Sequence, residues 1–403
     1  MPFLKYSSRH WGTHAKRELS GHAKALGLRL LSQYEGDLSA VSLFDQARPT
    51  VDIVSTCSSP RFSGLHCASF FGIVELIASL ASAQGCEINA RDGVGCTPLL
   101  WAAKNGHDGV VKILLERKDV DPNRPNYLGD TPLSWAADNG HEEVVRLLLK
   151  REDIEPDRPN NQDGTPLSWA ARFGREGVVK LLLGREDVDP NRPGQNSRTP
   201  LGHAAVKGHG GVVKLLLSRN DVDPNRPGQY GRTPLASAAF VGHEGVVQLL
   251  LARKDVDPNR PDQIGRTPLA SAAENGHEGV VGLLLDRNDV DPNRPDEGTL
   301  TPLGCAAYWG HEGCAKLLLA RDDVDPNYPD MYDQTPLAWA ASKGYEEVVN
   351  LLLGREDVDP NLPRPGGNRR TPLEWAIANG HEGVIKLLQA RVSMESADLQ
   401  PSH

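Results

Sequence analysis

Histidine and cysteine are the side chains of this sequence whose types could support metal or redox chemistry. Seven histidines share one position, directly after a glycine, and recur along the chain: His107, His141, His209, His243, His277, His311 and His381. Metal ligands must converge on one point, and a set dispersed over separate segments does not, so we predict no metal site. The six cysteines form no CxxC pair, which predicts buried free thiols in a reducing compartment.

Motifs for catalysis are missing from the sequence. No arrangement of a nucleophile with a base specifies an active site, and no GxxxxGK[ST] phosphate loop occurs. We therefore expect no enzymatic activity and no cofactor.

The segments that carry these residues repeat with a fixed period. Thr-Pro-Leu begins at Thr97, Thr131, Thr165, Thr199, Thr233, Thr267, Thr301, Thr335 and Thr371, with seven consecutive intervals of 34 residues and a last one of 36. Ser63, followed by Leu65 to Ser69, begins a degenerate copy one interval upstream. Such a period is typical of stacked repeats, here numbered 1 to 10 from residue 63.

Each repeat predicts two short helices and a loop, as residues 97–130 illustrate. Thr97 is a good helix N-cap, Pro98 suits the first helical position, and Gly106 suits the left-handed end of the helix. Val110, Val111 and Leu114 then give a second helix an apolar stripe. Helices of two or three turns need neighbours to be stable, so the copies must stack.

These features resemble the ankyrin repeat. The resemblance rests on the Thr-Pro-Leu start, the Ala-Ala pair, the Gly-His turn and the Leu-Leu-Leu run, as in Leu147 to Leu149. It implies an all-α ankyrin-repeat solenoid of about ten helix-turn-helix repeats with hairpin-like loops, over residues 63–392. The histidine that follows Thr-Pro-Leu in the family is replaced in repeats 2 to 10, for example by Leu100, so the family's Thr–His hydrogen bond is expected to be absent there.

The two ends of the array depart from the repeat. Residues 1–62 are predicted to form a helical N-terminal cap, and the segment 2–15 resembles the linker before the ankyrin array of fungal NACHT-type signalling proteins. At the other end Gln389 replaces the third leucine of the Leu-Leu-Leu run. We expect a terminal repeat near 371–391 and a disordered tail over 393–403.

Charge and hydropathy restrict the partners. The formal net charge is −9, although residues 1–62 carry 8 Lys and Arg against 5 Asp and Glu. An acidic array binds phosphate backbones poorly, so we predict no nucleic-acid partner. No apolar run reaches the ~20 residues of a membrane span. A monomer in the cytoplasm is expected, with the nucleus as the alternative.

Differences between matching repeats point to a binding face. Residues 232–265 and 266–299 agree at 26 of 34 positions, and the differences avoid the apolar stripe. Several fall at the end of the first helix and at the loop tip, which line the concave, partner-binding face in the resembled family. Aromatic and arginine side chains are typical interface residues, which predicts a site at Phe173, Tyr230, Phe240, Ile264, Tyr308, Trp309, Tyr332, Arg198, Arg232 and Arg266. The alternative is an ordinary solvated surface.

Arg198, Arg232 and Arg266 directly precede Thr-Pro-Leu in three successive repeats. Arginine presents a planar fork that suits carboxylates, so we predict a protein or peptide partner with an acidic, extended segment across repeats 5 to 7. The alternative is that each arginine pairs with a nearby aspartate, such as Asp262, for about 0–1 kcal/mol. The function predicted is a protein-interaction scaffold; the alternative is a structural spacer or the regulatory part of a NACHT-type ATPase.

Overall fold

The structure is a computed structural model that describes residues 62–362 and 370–398. The predicted N-terminal cap and its NACHT-type resemblance lie outside the described residues, apart from Phe62. The chain divides into two compact bodies, Met1–Gln195 and Asn196–His403, called here the N-terminal and the C-terminal body. Every helix of the described residues belongs to a pair, which confirms the all-α prediction of about ten helix-turn-helix repeats.

The N-terminal body holds four helix pairs. They are α1 (Gly64–Phe71), α2 (Val74–Ala81), α3 (Pro98–Asn105), α4 (Asp108–Leu115), α5 (Pro132–Asn139), α6 (Glu142–Leu149), α7 (Pro166–Arg172) and α8 (Glu176–Leu183).

The C-terminal body holds six pairs and a short 3-10 turn at Gln229–Gly231. Its helices are α9 (Pro200–Lys207), α10 (Gly210–Leu217), α11 (Pro234–Val241), α12 (Glu244–Leu251), α13 (Pro268–Glu274), α14 (Glu278–Leu285), α15 (Pro302–Trp309), α16 (Glu312–Leu319), α17 (Pro336–Lys343), α18 (Glu346–Leu353), α19 (Pro372–Asn379) and α20 (Glu382–Asp398). A further 3-10 turn spans Gln195–Ser197.

The first helix of each repeat begins and ends where the local sequence predicts. In repeat 2 the Thr97 hydroxyl accepts a hydrogen bond from the Leu100 amide at 3.2 Å, and Pro98 is the first helical residue. Gly106 ends the helix in the left-handed region with φ 74°, a conformation that costs a glycine little. In repeat 1, His66 occupies the family position, and its Nδ1 lies 2.8 Å from the Ser63 hydroxyl.

The second helix of each repeat contributes an apolar stripe to the core. Val110, Val111 and Leu114 are buried, and the equivalent residues of the other repeats are buried as well, except for the half-buried Ile385. Burying one such side chain stabilises the fold by roughly 1.5–3 kcal/mol. With one exception these helices have only eight residues, so packing between neighbouring repeats, within each body, must supply their stability.

Within each body, asparagines tie most repeats to the next. Asn123 Nδ2 donates to the Asp153 carbonyl at 2.6 Å, and its Oδ1 accepts from the Glu155 amide at 2.9 Å. The same two bonds, 30 and 32 residues along the chain, are made by the other members of this asparagine ladder, which are Asn89, Asn225, Asn259, Asn293 and Asn327. The loops are therefore held by their neighbours as well as by their own turns.

The last helix extends beyond the predicted end of the array at residue 392. α20 runs from Glu382 to Asp398, because neither proline nor glycine follows Gln389 to terminate it before that residue. The tail predicted from residue 393 is thus helical up to Asp398, and its final residues lie outside the described part of the chain. Among residues 62–362 and 370–398, no helix combines the length and the apolar character needed to span a membrane.

Candidate functional site

Apolar side chains are exposed at the hairpin tips of the C-terminal body. Tyr230, Ile264 and Tyr332 stand at equivalent tip positions, and Tyr332 keeps 66% of its surface exposed. Trp309, at the end of α15, is 52% exposed. Phe240 and Tyr308, near the ends of α11 and α15, are half-buried. These predicted site residues therefore lie at two places in their repeats, the hairpin tips and the ends of the first helices.

Phe173 is the one predicted site residue of the N-terminal body. It follows α7, is exposed, and stacks on Trp169 with the ring centroids 6.2 Å apart. The Arg172 guanidinium lies 5.3 Å from the Trp169 centroid and 5.6 Å from that of Phe173. Phe173 is therefore part of a local aromatic cluster in this body.

Arg232 is held between an aromatic ring and a carboxylate. Its guanidinium lies 3.9 Å from the Phe240 centroid and 5.8 Å from that of Tyr230. Its Nε donates to Asp262 Oδ2 at 3.3 Å. The arginine side chain is 18% exposed and the aspartate side chain only 1%, so the pair is well shielded from water. Pairing with a nearby aspartate is the alternative to partner binding that the sequence predicts for this arginine.

Arg266 makes the same link to the next hairpin and a second one to the end of the first helix that follows it. Its Nε donates to Asp296 Oδ2 at 3.1 Å, and its Nη1 donates to Glu274. Burial by itself would lower the pKa of Arg266, but the hydrogen bond to Asp296 and the charge of Glu274 raise it above its ordinary value. Arg198 lies against Gly228, the position that Asp262 and Asp296 occupy in the following repeats.

Tyr308 and Trp309 form an aromatic cluster with the next repeat. The Tyr308 centroid lies 5.1 Å from that of Trp309 and 4.7 Å from that of Trp339, both edge to face. The Lys343 ammonium lies 4.9 Å from the Tyr308 centroid. The buried part of this cluster packs the repeats together, while the exposed face of Trp309 remains accessible to a partner.

Hairpin residues of a second kind hold the tryptophans of the first helices, and sequence reasoning missed this role. Asp92 Oδ1 accepts from the Val94 and Cys96 amides at 3.0 and 2.8 Å, and its Oδ2 accepts from Trp101 Nε1 at 2.7 Å. Asp330 binds Trp339 Nε1 in the same way at 3.0 Å. The signal available in the sequence is an Asp five residues before the threonine of Thr-Pro-Leu, with a tryptophan four residues after that threonine.

Trp135 departs from this arrangement. The equivalent hairpin residue is Asn126, whose amide nitrogen donates to Asp130 Oδ2 at 3.2 Å. Trp135 Nε1 is buried and has no hydrogen-bond partner among the described residues. A pocket of about 280 Å³ lies beside it in the N-terminal body, lined in part by Leu128, Asp138 and Trp169.

The recurring histidines contact backbone carbonyl groups of the preceding repeat. His107 Nε2 lies 2.9 Å from the Phe70 carbonyl, and His277 Nε2 lies 3.1 Å from that of Phe240, in each case in the preceding repeat. Arg175 replaces the histidine in repeat 4, and its Nε donates to the Asp138 carbonyl at 3.0 Å. No group of His, Cys, Asp or Glu in the described ranges could hold a metal ion.

Paired short helices that pack against those of neighbouring repeats within each body, with projecting hairpins, define a helical-repeat protein. The family model for ankyrin repeats (3 copies) matches in seven overlapping segments, at residues 65–160, 118–193, 167–262, 203–296, 254–330, 288–364 and 323–398. The chain belongs to the ankyrin repeat family, whose repeats generally mediate protein–protein interaction. No curated protein matches the sequence.

Proposed function

We propose that the C-terminal body binds an extended segment of another protein across the hairpin tips and first-helix ends of repeats 5 to 8. The observation that carries this proposal is the exposure of Tyr230, Ile264 and Tyr332 at equivalent hairpin tips and of Trp309 at the end of a first helix. The apolar stripes of the same repeats are buried. Exposed apolar side chains gathered in one region mark interaction sites, and tyrosine and tryptophan contribute most strongly to interfaces.

The bound segment is acidic in this proposal, and Arg232 is its main charged contact among the three arginines. Only the Nε of Arg232 is engaged by a carboxylate. No described residue accepts a hydrogen bond from its two Nη groups, which leaves donors for a partner's carboxylate. Arg266 already pairs with two acids, so its contribution to binding should be smaller. Arg198 is the third arginine of the row.

The cellular setting is part of the same proposal. A scaffold of this kind would act as a monomer in the cytoplasm, with the nucleus as the alternative. The similarity of segment 2–15 to a NACHT-type linker supports a sensor role beside such an ATPase. These assignments rest on sequence alone, because that segment lies outside the described residues.

The proposal is tested by comparing two double variants with the wild type. Partners recovered by proximity crosslinking are expressed, and their dissociation constants are measured by calorimetry. Tyr230→Ala/Tyr332→Ala removes two exposed tip residues and should weaken binding by roughly 30-fold, as for hot-spot residues. Tyr127→Ala/Ile377→Ala removes two side chains of comparable exposure elsewhere and should leave binding unchanged.

Equal affinities for both double variants would refute the site, and the absence of any saturable partner would favour the spacer. The acidic segment is tested separately with Arg232→Lys, which retains the charge but not the fork. A loss of affinity with an unchanged salt dependence is expected, because the charge is kept and only the bidentate geometry is lost. Unfolding is measured in parallel, because Asp262 loses part of its pairing in this variant.

A further inference from the structure

The pocket beside Trp135 contains a polar donor and a polar acceptor that the protein leaves unused. Trp135 and Asp138 are three residues apart on α5, which places them on one face of the helix. Trp135 Nε1 has no partner. No hydrogen bond to the Asp138 carboxylate is found among residues 62–362 and 370–398, and burial raises the pKa of this carboxyl group.

The unused indole N–H of Trp135 differs from those of three equivalent tryptophans in other repeats. Trp101, Trp339 and Trp375 donate to Asp92, Asp330 and Gln334 at 2.7, 3.0 and 2.7 Å. A buried polar group without a partner costs about 1–3 kcal/mol. A ligand that supplies an acceptor would remove that cost, after a small shift of the pocket wall to reach the shielded nitrogen.

The charges around the pocket disfavour the binding of both cations and anions relative to a neutral ligand. Arg175, Arg172 and Lys104 all act on the Asp138 carboxyl group, and the Lys104 ammonium lies 3.7 Å from the Trp135 centroid. These three positive groups do not line the pocket, but they already offset the charge of Asp138 and would repel a cationic ligand beside it. An anionic ligand would meet Asp138 and Asp130, and Asp130 also lines the pocket. A neutral group with one acceptor and one donor avoids both penalties.

We infer that this pocket binds the primary amide of a glutamine or asparagine side chain from a bound polypeptide. The carbonyl oxygen would accept from Trp135 Nε1, and the amide nitrogen would donate to Asp138. Leu128 and Trp169 would cover the methylene groups. The volume of about 280 Å³ lies just below the range of pockets for whole small-molecule ligands, which suits one side chain. This inference rests on the proposed function only in taking a polypeptide as the source of the amide.

The test uses three small probes of similar size: propionamide, propionate, which has the same shape, and propylammonium. The indole ¹H–¹⁵N signals of the full chain are followed during titration, with Trp135→Phe to assign the Trp135 signal. Propionamide should move that signal downfield in a saturable manner. The signal of Trp101, already bonded to Asp92, should stay in place and serves as the internal control.

Asp138→Ala should weaken propionamide binding by about fivefold, as expected for the loss of one hydrogen bond. A peptide Gly-Gln-Gly with blocked ends should bind, whereas blocked Gly-Ala-Gly should not, which separates a side-chain amide from a backbone amide. An unmoved Trp135 signal, or equal responses to propionate or propylammonium, would overturn the inference. Neither result would affect the partner measurements that test the C-terminal body.

Discussion

Repeats 2 and 3 follow one plan but exchange a carboxylate and an amide at two loop positions. The hairpin before repeat 2 begins with Asp92 and the hairpin before repeat 3 with Asn126. Conversely, the ladder residue Asn123 of repeat 2 is replaced by Asp157 in repeat 3. The first exchange leaves the Trp135 indole N–H without an acceptor, and the second leaves Asp157 Oδ1 buried without a partner. The exchange of an oxygen for a nitrogen in one side chain thus decides whether a hydrogen bond forms or a buried polar atom is left without a partner.

The largest effect is expected at Asp92. Asp92→Ala removes the acceptor of two backbone amides and one indole, all shielded from water, and should lower the free energy of unfolding by about 2–4 kcal/mol. Asp92→Asn retains an oxygen for the two amides and copies the hairpin of repeat 3, so about 1 kcal/mol is expected. Urea unfolding, with hydrogen exchange at the Val94 and Cys96 amides, measures both. Equal losses would show that the two amide bonds have no effect separate from that of the indole bond.

A matched pair of tryptophan substitutions sharpens the comparison. Trp101→Phe leaves the buried Asp92 Oδ2 without its donor and should cost about 1–2 kcal/mol beyond the difference in ring size. Trp135→Phe removes a donor that had no partner, so its cost should be close to zero or slightly favourable. Urea unfolding of the two variants measures this difference, and equal destabilisation would contradict the assignment of the bonds.

The smallest effect is expected at Asp157. Asp157→Asn can restore the ladder bonds to the next repeat and should stabilise the chain by about 1 kcal/mol at neutral pH, even though it removes the 3.3 Å pair with Arg192. The reciprocal Asn123→Asp should destabilise by a similar amount. Chemical unfolding of both at several pH values provides the measurement.

The pH dependence of the Asp157 effect has a definite sign. Burial holds the pKa of Asp157 above its ordinary value, despite the opposing hydrogen bond and charge of Arg192. The folded state therefore binds the proton more tightly than the unfolded state. The wild type should gain stability as pH falls from above the raised pKa toward the ordinary aspartate value, so the advantage of Asp157→Asn should shrink there. A constant advantage over this range would exclude the protonation of Asp157 as its cause.

The sequence predicts this fold well because the helix signals are local. Thr97, Pro98 and Gly106 act within one turn of where they stand, and the Val-Val-x-x-Leu stripe is visible in a single repeat. The links between repeats were harder to predict, since the acceptor of Arg232 lies in the next hairpin. Asp262 was recognised only as one of several nearby acids, and the bond from Trp101 to Asp92 depends on how the hairpin folds back on the first helix.

The positions of the candidate site residues could be predicted from the sequence, whereas their side-chain partners are known from the structure. Tip and helix-end residues such as Tyr230 and Tyr332 could be recognised because they vary on a constant framework. The exchange of Asp92 for Asn126 is visible in the sequence, but its effect on Trp101 and Trp135 becomes clear only when their indole partners are compared. Binding by these residues stays a prediction that the proposed variants can decide.

Each loop of the asparagine ladder contains an asparagine that binds the next loop, and backbone groups that bind the asparagine of the preceding loop. Removing residues 232–265 would bring Asn225 to the carbonyl of Asp289 in place of Asp255, with the same types of atoms and the same 34-residue register. Repeats are therefore interchangeable parts with standard connectors. A gene encoding such parts can gain or lose copies by unequal recombination and still encode matching junctions, so the length of the array can change in evolution independently of the residues that select its partners.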